Sequence, residues 1–103
     1  MKPPVRLVSR GGKTLNDEML LYDETEETQT RYVGFVGETH RFDLAITQTD
    51  RFFGKSLVVD IQKGIAAIIG PDDLKEEGYL EHTFGISEEE AQELHLFLSG
   101  VIL

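Results

Sequence analysis

Residues 40 to 69 contain three apolar runs separated by short turns, and this stretch restricts the fold more than any other part of the chain. In the first run, His40 to Thr49, three alternate residues beginning with Phe42 are apolar, as on one face of a half-buried strand. The run Ser56 to Gln62 alternates in the same way, whereas Ile65 to Gly70 is apolar on both faces. The pattern predicts a β-meander in which the third run is the most central strand.

Two further segments, Glu18 to Tyr22 and Arg31 to Gly37, have the composition of strands. They bring the predicted sheet to about five strands. Pro71, which is followed by two acidic residues, predicts a short helix that ends near Glu76. Tyr79 to Thr83 is predicted to be extended or irregular, and the next residue, Phe84, is expected to enter the core.

The C-terminal helix has the clearest local signature. Ser87 and Glu90 have the spacing of a capping box, and three acidic residues lie at the positive end of the helix dipole. The apolar residues that follow recur at helical spacing: Ala91, Leu94, Phe97, Leu98 and Val101. We therefore predict an α+β fold, an antiparallel β-meander of about five strands with a C-terminal helix packed on one face.

Length and composition restrict the class of protein. A chain of 103 residues with 40% hydrophobic content can form one domain with its own core. The absence of cysteine excludes disulfides, thiolate zinc sites and thiol catalysis, and is typical of a cytoplasmic protein. No segment has the pattern of a signal peptide or the length of a membrane span, so we predict no membrane association.

Charge divides the chain into two parts. The first fourteen residues carry four cations and no acid, although the whole chain has a net charge of −9. We predict a basic N-terminal arm at residues 1–16 and a single acidic α+β domain at residues 17–103. Acidic surfaces repel phosphates, so nucleic-acid binding is not expected outside the arm. The arm contains Gly-Lys-Thr, but Leu7 occupies the position where a phosphate-binding loop requires glycine.

The connection between the first two runs of the meander is the best candidate for a binding surface. It contains two adjacent aromatic residues, Phe52 and Phe53, flanked by the cations Arg51 and Lys55. Aromatic and cationic side chains in a loop resemble the residues that dominate binding at protein interfaces. The alternative is that one phenylalanine simply packs beneath the end of the sheet.

Other candidate sites are weaker. His40, Asp60 and Glu38 contain the groups of an acid-base site, although their geometry cannot be derived from sequence. The acidic run Asp23 to Thr30 does not have the ligand spacing of an EF-hand loop. The three histidines are too far apart in sequence for a zinc motif. We predict no catalytic residue, no metal and no cofactor, and an enzyme remains an open alternative.

From about Met19 to Leu98 the chain resembles a family of short uncharacterised cytosolic proteins of Gram-positive bacteria, catalogued as a domain of unknown function. The residues that carry the resemblance are Thr30 to Val33, His40 to Ile46, Thr49 to Lys55, Gly78 to Glu81 and the Ser-Glu-Glu-Glu helix start at Ser87. The resemblance implies a bacterial cytosolic protein and transfers no active site. The basic arm lies outside it.

Three functions are consistent with the sequence. The first is a non-enzymatic protein-interaction or regulatory module with an unknown protein partner. The second is a nucleic-acid-associated factor that uses the basic arm, and the third is an enzyme with an unrecognised acid-base site.

We also predict a homodimer, because one helix covers only part of a five-stranded sheet. The apolar residues expected to remain for its interface are Val33, Phe35, Val58, Ile68 and the terminal residues 101–103.

Overall fold

The computed structural model describes residues 19–38 and 40–102. It contains four strands, β1 (Gln29–Val36), β2 (Arg41–Gln48), β3 (Ser56–Asp60) and β4 (Ile65–Ile69). Three helices follow, α1 (Pro71–Lys75), α2 (Tyr79–Phe84) and α3 (Glu88–Ser99). The predicted α+β class is confirmed. The basic arm at residues 1–16 lies outside the described residues, so its boundary stays a prediction.

The strands form one antiparallel sheet in the order β1-β2-β3-β4. The predicted strand at Glu18 to Tyr22 does not form over the part that is described, Met19 to Tyr22, and the described residues form four strands, close to the predicted number of about five. The third apolar run was also predicted to be central, and this is wrong because β4 lies at an edge of the sheet. Among the described strands each pairs with the next in the chain, and β4, as the last of them, has a neighbour on one side only.

One face of the sheet packs against the helices. The buried core contains Phe42, Leu44 and Ile46 from β2 together with Leu94 and Leu98 from α3. This arrangement confirms that the C-terminal helix covers one face.

Aromatic contacts join this helix to the first hairpin. Phe35 stacks on Phe42 with ring centroids 5.0 Å apart and meets Phe97 at 4.9 Å. The edge strand β1 is therefore held to α3 by aromatic rings as well as by its ladder with β2.

The local signals of the helices are confirmed at two places. Pro71 begins α1, and Ser87 caps α3 by accepting a hydrogen bond from the Glu90 backbone N–H at 3.1 Å. The side chain of Glu90 accepts in return from the Ser87 N–H at 3.2 Å. Tyr79 to Thr83 is a helix and not extended, which corrects the prediction for this segment, whereas Phe84 is buried as expected.

The register corrects the prediction for the second face of the sheet. Val33 pairs with Leu44, Phe35 with Phe42, and Val58 with Ile46, so the first residue of each pair lies on the core side. The terminal segment is not free either, because Ile102 is buried in the core. Leu103 lies outside the described residues.

The face away from the helices, which we call the outer face, is formed by the alternate residues of each strand. Two paired rows cross it, and they consist of Tyr32, Ala45, Val59 and Ala66, and of Thr30, Thr47, Leu57 and Ile68. Tyr32 and Ile68 are exposed. The charged residues on these strands that share the face are Arg41 and Asp43, which form an ion pair at 3.1 Å. The outer face is therefore largely apolar, and its strand residues carry no net charge.

Candidate functional site

The turn between β2 and β3 presents an aromatic side chain to solvent. The Lys55 N–H donates to the Phe52 carbonyl at 3.0 Å and closes a turn with Phe53 and Gly54 at its centre. Both central residues have positive φ angles, 45° at Phe53 and 78° at Gly54, as in a type I′ turn. Asn-Gly is the preferred pair for this geometry, and phenylalanine is an unusual first residue.

The backbone conformation of Phe53 destabilises the fold, and its side chain contributes no burial that would offset this. It is the one non-glycine residue with positive φ in the described part of the chain, and its side chain is 100% exposed. A left-handed conformation costs an L-residue with a bulky side chain about 1–2 kcal/mol. A strained, fully exposed aromatic residue is the kind of feature that function, and not stability, accounts for.

Arg51 is engaged within the chain. Its guanidinium forms an ion pair with Glu24 at 2.5 Å and lies 5.1 Å from the centre of the Tyr22 ring. Glu26 contacts the same loop, accepting from the Thr49 hydroxyl at 2.9 Å and from the Asp50 N–H at 3.1 Å. The acidic segment that precedes β1 is thus a support for the β2–β3 loop.

Lys55 is engaged on the opposite side of the turn. Its ammonium lies 3.1 Å from the Asp73 carboxylate in α1, and its stem packs closely on Gly70. The pKa of Asp73 is lowered because the Gly70 N–H donates to this carboxylate, with a further contribution from Lys55. Because carboxylates balance both flanking cations, the turn presents Phe53 without a free positive charge beside it. Phe52 is half-buried.

The residues of the hypothetical acid-base site have separate partners. His40 contacts the Glu90 carboxylate at 2.9 Å, and the Asp60 carboxylate is buried and accepts from the Lys63 N–H at 3.1 Å. The pKa of Glu90 is lowered, chiefly because the Ser87 N–H donates to it and also because His40 lies nearby. The Glu38 N–H donates to Glu93 on α3. These contacts join the β1–β2 connection to α3 and stabilise the β3–β4 turn.

Comparison with known proteins assigns the chain to a family. The model of the SAV0927-like family matches residues 21–100. The chain belongs to this family. A search of the curated proteins finds no match.

The SAV0927-like match confirms the resemblance to an uncharacterised family of small proteins. It spans all four strands and all three helices, and therefore includes both the Phe53 turn and the outer face. The basic residues near the N-terminus, Lys2 to Lys13, precede the matched span. Both the turn and the outer face thus belong to the SAV0927-like domain itself.

Within residues 19–38 and 40–102, no group of three or more histidine and acidic side chains is placed to hold a metal ion. In the same ranges, no helix has the length and apolar character needed to cross a bilayer.

Sequence reasoning identified the Phe53 turn from its aromatic and cationic composition, and it predicted an apolar second face of the sheet but assigned it three residues that lie on the core side. The strand register was needed to find that face, because alternation separates two sets of side chains without showing which set faces the helices.

Proposed function

We propose that this SAV0927-like protein is a non-enzymatic interaction module of the bacterial cytoplasm, and that it binds a protein partner through Phe53. The observation that supports this function is the full exposure of an aromatic ring at a turn position that disfavours it. Exposed aromatic anchors that enter a pocket on a partner supply a large share of the binding energy at protein interfaces.

The chemistry around the ring favours a protein partner over an anionic ligand. Arg51 and Lys55 are paired with Glu24 and Asp73, and the chain carries a net charge of −9. A phosphate would therefore have to compete with a carboxylate for each of these cations. An apolar ring projecting from a nearly neutral turn fits a hydrophobic pocket instead.

The substitution Phe53→Asn separates binding from folding. Asparagine tolerates the left-handed conformation and precedes Gly54, so we expect the free energy of unfolding to rise by about 1 kcal/mol. Association with the partner should be lost, because the ring that enters its pocket is removed. Chemical denaturation measures the first effect, and affinity capture from a bacterial lysate compares the second with the wild-type chain.

The matched control is Leu96→Asn, which removes another exposed apolar side chain, on α3 and outside the turn. A partner captured by the wild type and by this control, but not by Phe53→Asn, is the expected result. Capture of the same partner by Phe53→Asn would refute the role of the ring. A clear loss of stability in Phe53→Asn would mean that Phe53 serves the fold.

We further propose that the protein forms a homodimer in which two outer faces pack together. The face combines exposed Tyr32 and Ile68 with half-buried Leu57 and Val59, and its one ion pair is internally neutral. An acidic chain can associate with its own copy most readily through a surface without net charge. A two-fold arrangement buries the same patch on both subunits, with the sheets about 10 Å apart.

The molecular mass in solution tests whether the protein is a dimer. Light scattering after size exclusion, at micromolar protein and about 0.15 M salt, should give about twice the chain mass of 11.6 kDa. Ile68→Lys, which places a charge in the interface, should give the monomer mass, whereas Leu96→Lys on α3 should remain dimeric. A monomer mass for the wild-type protein would exclude this dimer.

A further inference from the structure

The three helices enclose a groove that neither proposed interface uses. It lies between α1, α2 and α3 and has a volume of about 540 Å³, within the range of clefts that bind ligands. Its floor includes the buried side chains Leu74, Leu80 and Ala91, and Leu96 stands at one edge with 78% of its surface exposed. The groove is thus an apolar channel open to solvent.

The rim of the groove is acidic. Four glutamates line it, Glu76, Glu77, Glu81 and Glu88, against one lysine, Lys75. A surface of this kind attracts a segment that combines positive charge with apolar side chains.

The walls of the groove are tied together. The Nε2 atom of His95 on α3 lies 2.9 Å from the Leu74 carbonyl of α1, and its Nδ1 atom lies 3.3 Å from the Ser99 hydroxyl. The first contact fixes α3 relative to α1 on one side of the channel, and the second, within α3, orients the imidazole ring. A bound segment would therefore meet a preformed surface, which lowers the cost of binding.

We propose that this groove binds the basic N-terminal segment of the same chain, residues 1–14. The segment carries Lys2, Arg6, Arg10 and Lys13 with no acidic residue, and it includes the apolar residues Val5, Leu7 and Val8. Its cations match the glutamates of the rim, and its apolar residues match the floor. The nearly neutral outer face offers no comparable charge complementarity.

The length of the chain permits this contact. Fully extended, the eighteen residues that precede Met19 span about 60 Å, so the first residues of the segment can reach any point of the described structure, whose longest dimension is 48 Å. A covalently attached segment also has an effective concentration of about 1 mM near its site. The same sequence supplied by another molecule lacks this advantage.

A spin label locates the segment in the full-length protein. The chain contains no cysteine, so Ser9→Cys provides a single attachment point for a nitroxide in the middle of the segment. Nuclear magnetic resonance should show a several-fold loss of intensity for the amides of Lys75, Gly78 and Glu81, which line the groove. The amides of Phe53, in the turn, and of Tyr32, on the outer face of the strand farthest from α2, should keep their intensity.

Two matched variants test the role of charge. Glu88→Lys reverses a charge on the rim, whereas Glu89→Lys makes the same change at the next residue, which does not line the groove. We expect the label to lose its effect on the groove amides in the first variant and to keep it in the second. Equal behaviour of the two variants would overturn the proposed charge complementarity.

An experiment on a mixture of two protein samples distinguishes binding of the segment within one chain from binding to a second copy of the protein. Labelled protein without isotope enrichment is mixed with unlabelled, isotope-enriched protein, so that intensity is lost only through contact between molecules. We expect no loss at the groove in this mixture. Loss of intensity at the groove in this mixture would overturn the proposal. So would a loss in the labelled chain itself that centres on the outer face or does not include the groove.

Discussion

Phe84→Ala is expected to lower the free energy of unfolding by about 3–5 kcal/mol, the range for removing a fully buried aromatic side chain. The ring is 1% exposed and is among the largest buried side chains of the core. α2 has six residues, too few to be stable without tertiary contacts. The ring therefore both fills the core and, with Leu80, holds the helix in place.

Urea denaturation measures this loss, with an unchanged m-value showing that the transition remains comparable. His82→Ala is the matched control, because His82 is an exposed residue of the same helix. It should change stability by no more than about 0.5 kcal/mol. A loss below about 1 kcal/mol for Phe84→Ala would contradict the role of Phe84 as an anchor, since such large-to-small core changes cost several times more.

The same short helix shows where sequence reasoning failed. Leu80 and Phe84 have a helical spacing of four, but glycine flanks the segment at both ends, and Gly78 and Gly85 adopt positive φ angles of 79° and 62°. Two glycines so close together in sequence indicate turns and not a helix between them. The helix forms because tertiary contacts support it, including hydrogen bonds from the Lys63 ammonium to the carbonyls of Phe84 and Gly85 at 3.0 and 3.1 Å.

Several of the features predicted correctly are determined by short-range chemistry. The alternation beginning at Phe42 places the apolar side chains of β2 on one face of the strand. Ser87 with Glu90 forms the cap of α3. Each of these depends on residues within a few positions of one another. The prediction that β4 is a central strand was wrong, because apolar character on both faces does not determine where a strand lies in the sheet.

The candidate site was predictable only in part. The composition of Arg51 to Lys55 indicated a binding surface, but the pairing of Arg51 with Glu24 and of Lys55 with Asp73 brings together residues distant in sequence. The positive φ of Phe53 has no sequence signature other than the Gly54 that follows it. The acidic groove depends on the packing of α2, the helix that was not predicted.

Leu94→Ala is expected to lower the free energy of unfolding by about 2–5 kcal/mol, through lost burial and the cavity that remains. Leu94 is 1% exposed and lies between Ala91 and Leu98 on the stripe of α3 that faces the core. The cap at Ser87 sets the start of the helix, but its hydrogen bonds contribute about 1 kcal/mol. The apolar stripe is therefore the larger contribution to holding α3 on the sheet.

Leu96→Ala provides the matched control, because it is the same substitution on the same helix at a side chain that is 78% exposed. Any change in helix propensity is shared by the two variants, so the difference between them isolates burial against the sheet. Chemical denaturation of both should give a difference of at least about 2 kcal/mol. Equal losses would mean that Leu94 does not anchor α3 to the sheet, and that the helix is retained mainly by its cap and its contacts with α1 and α2.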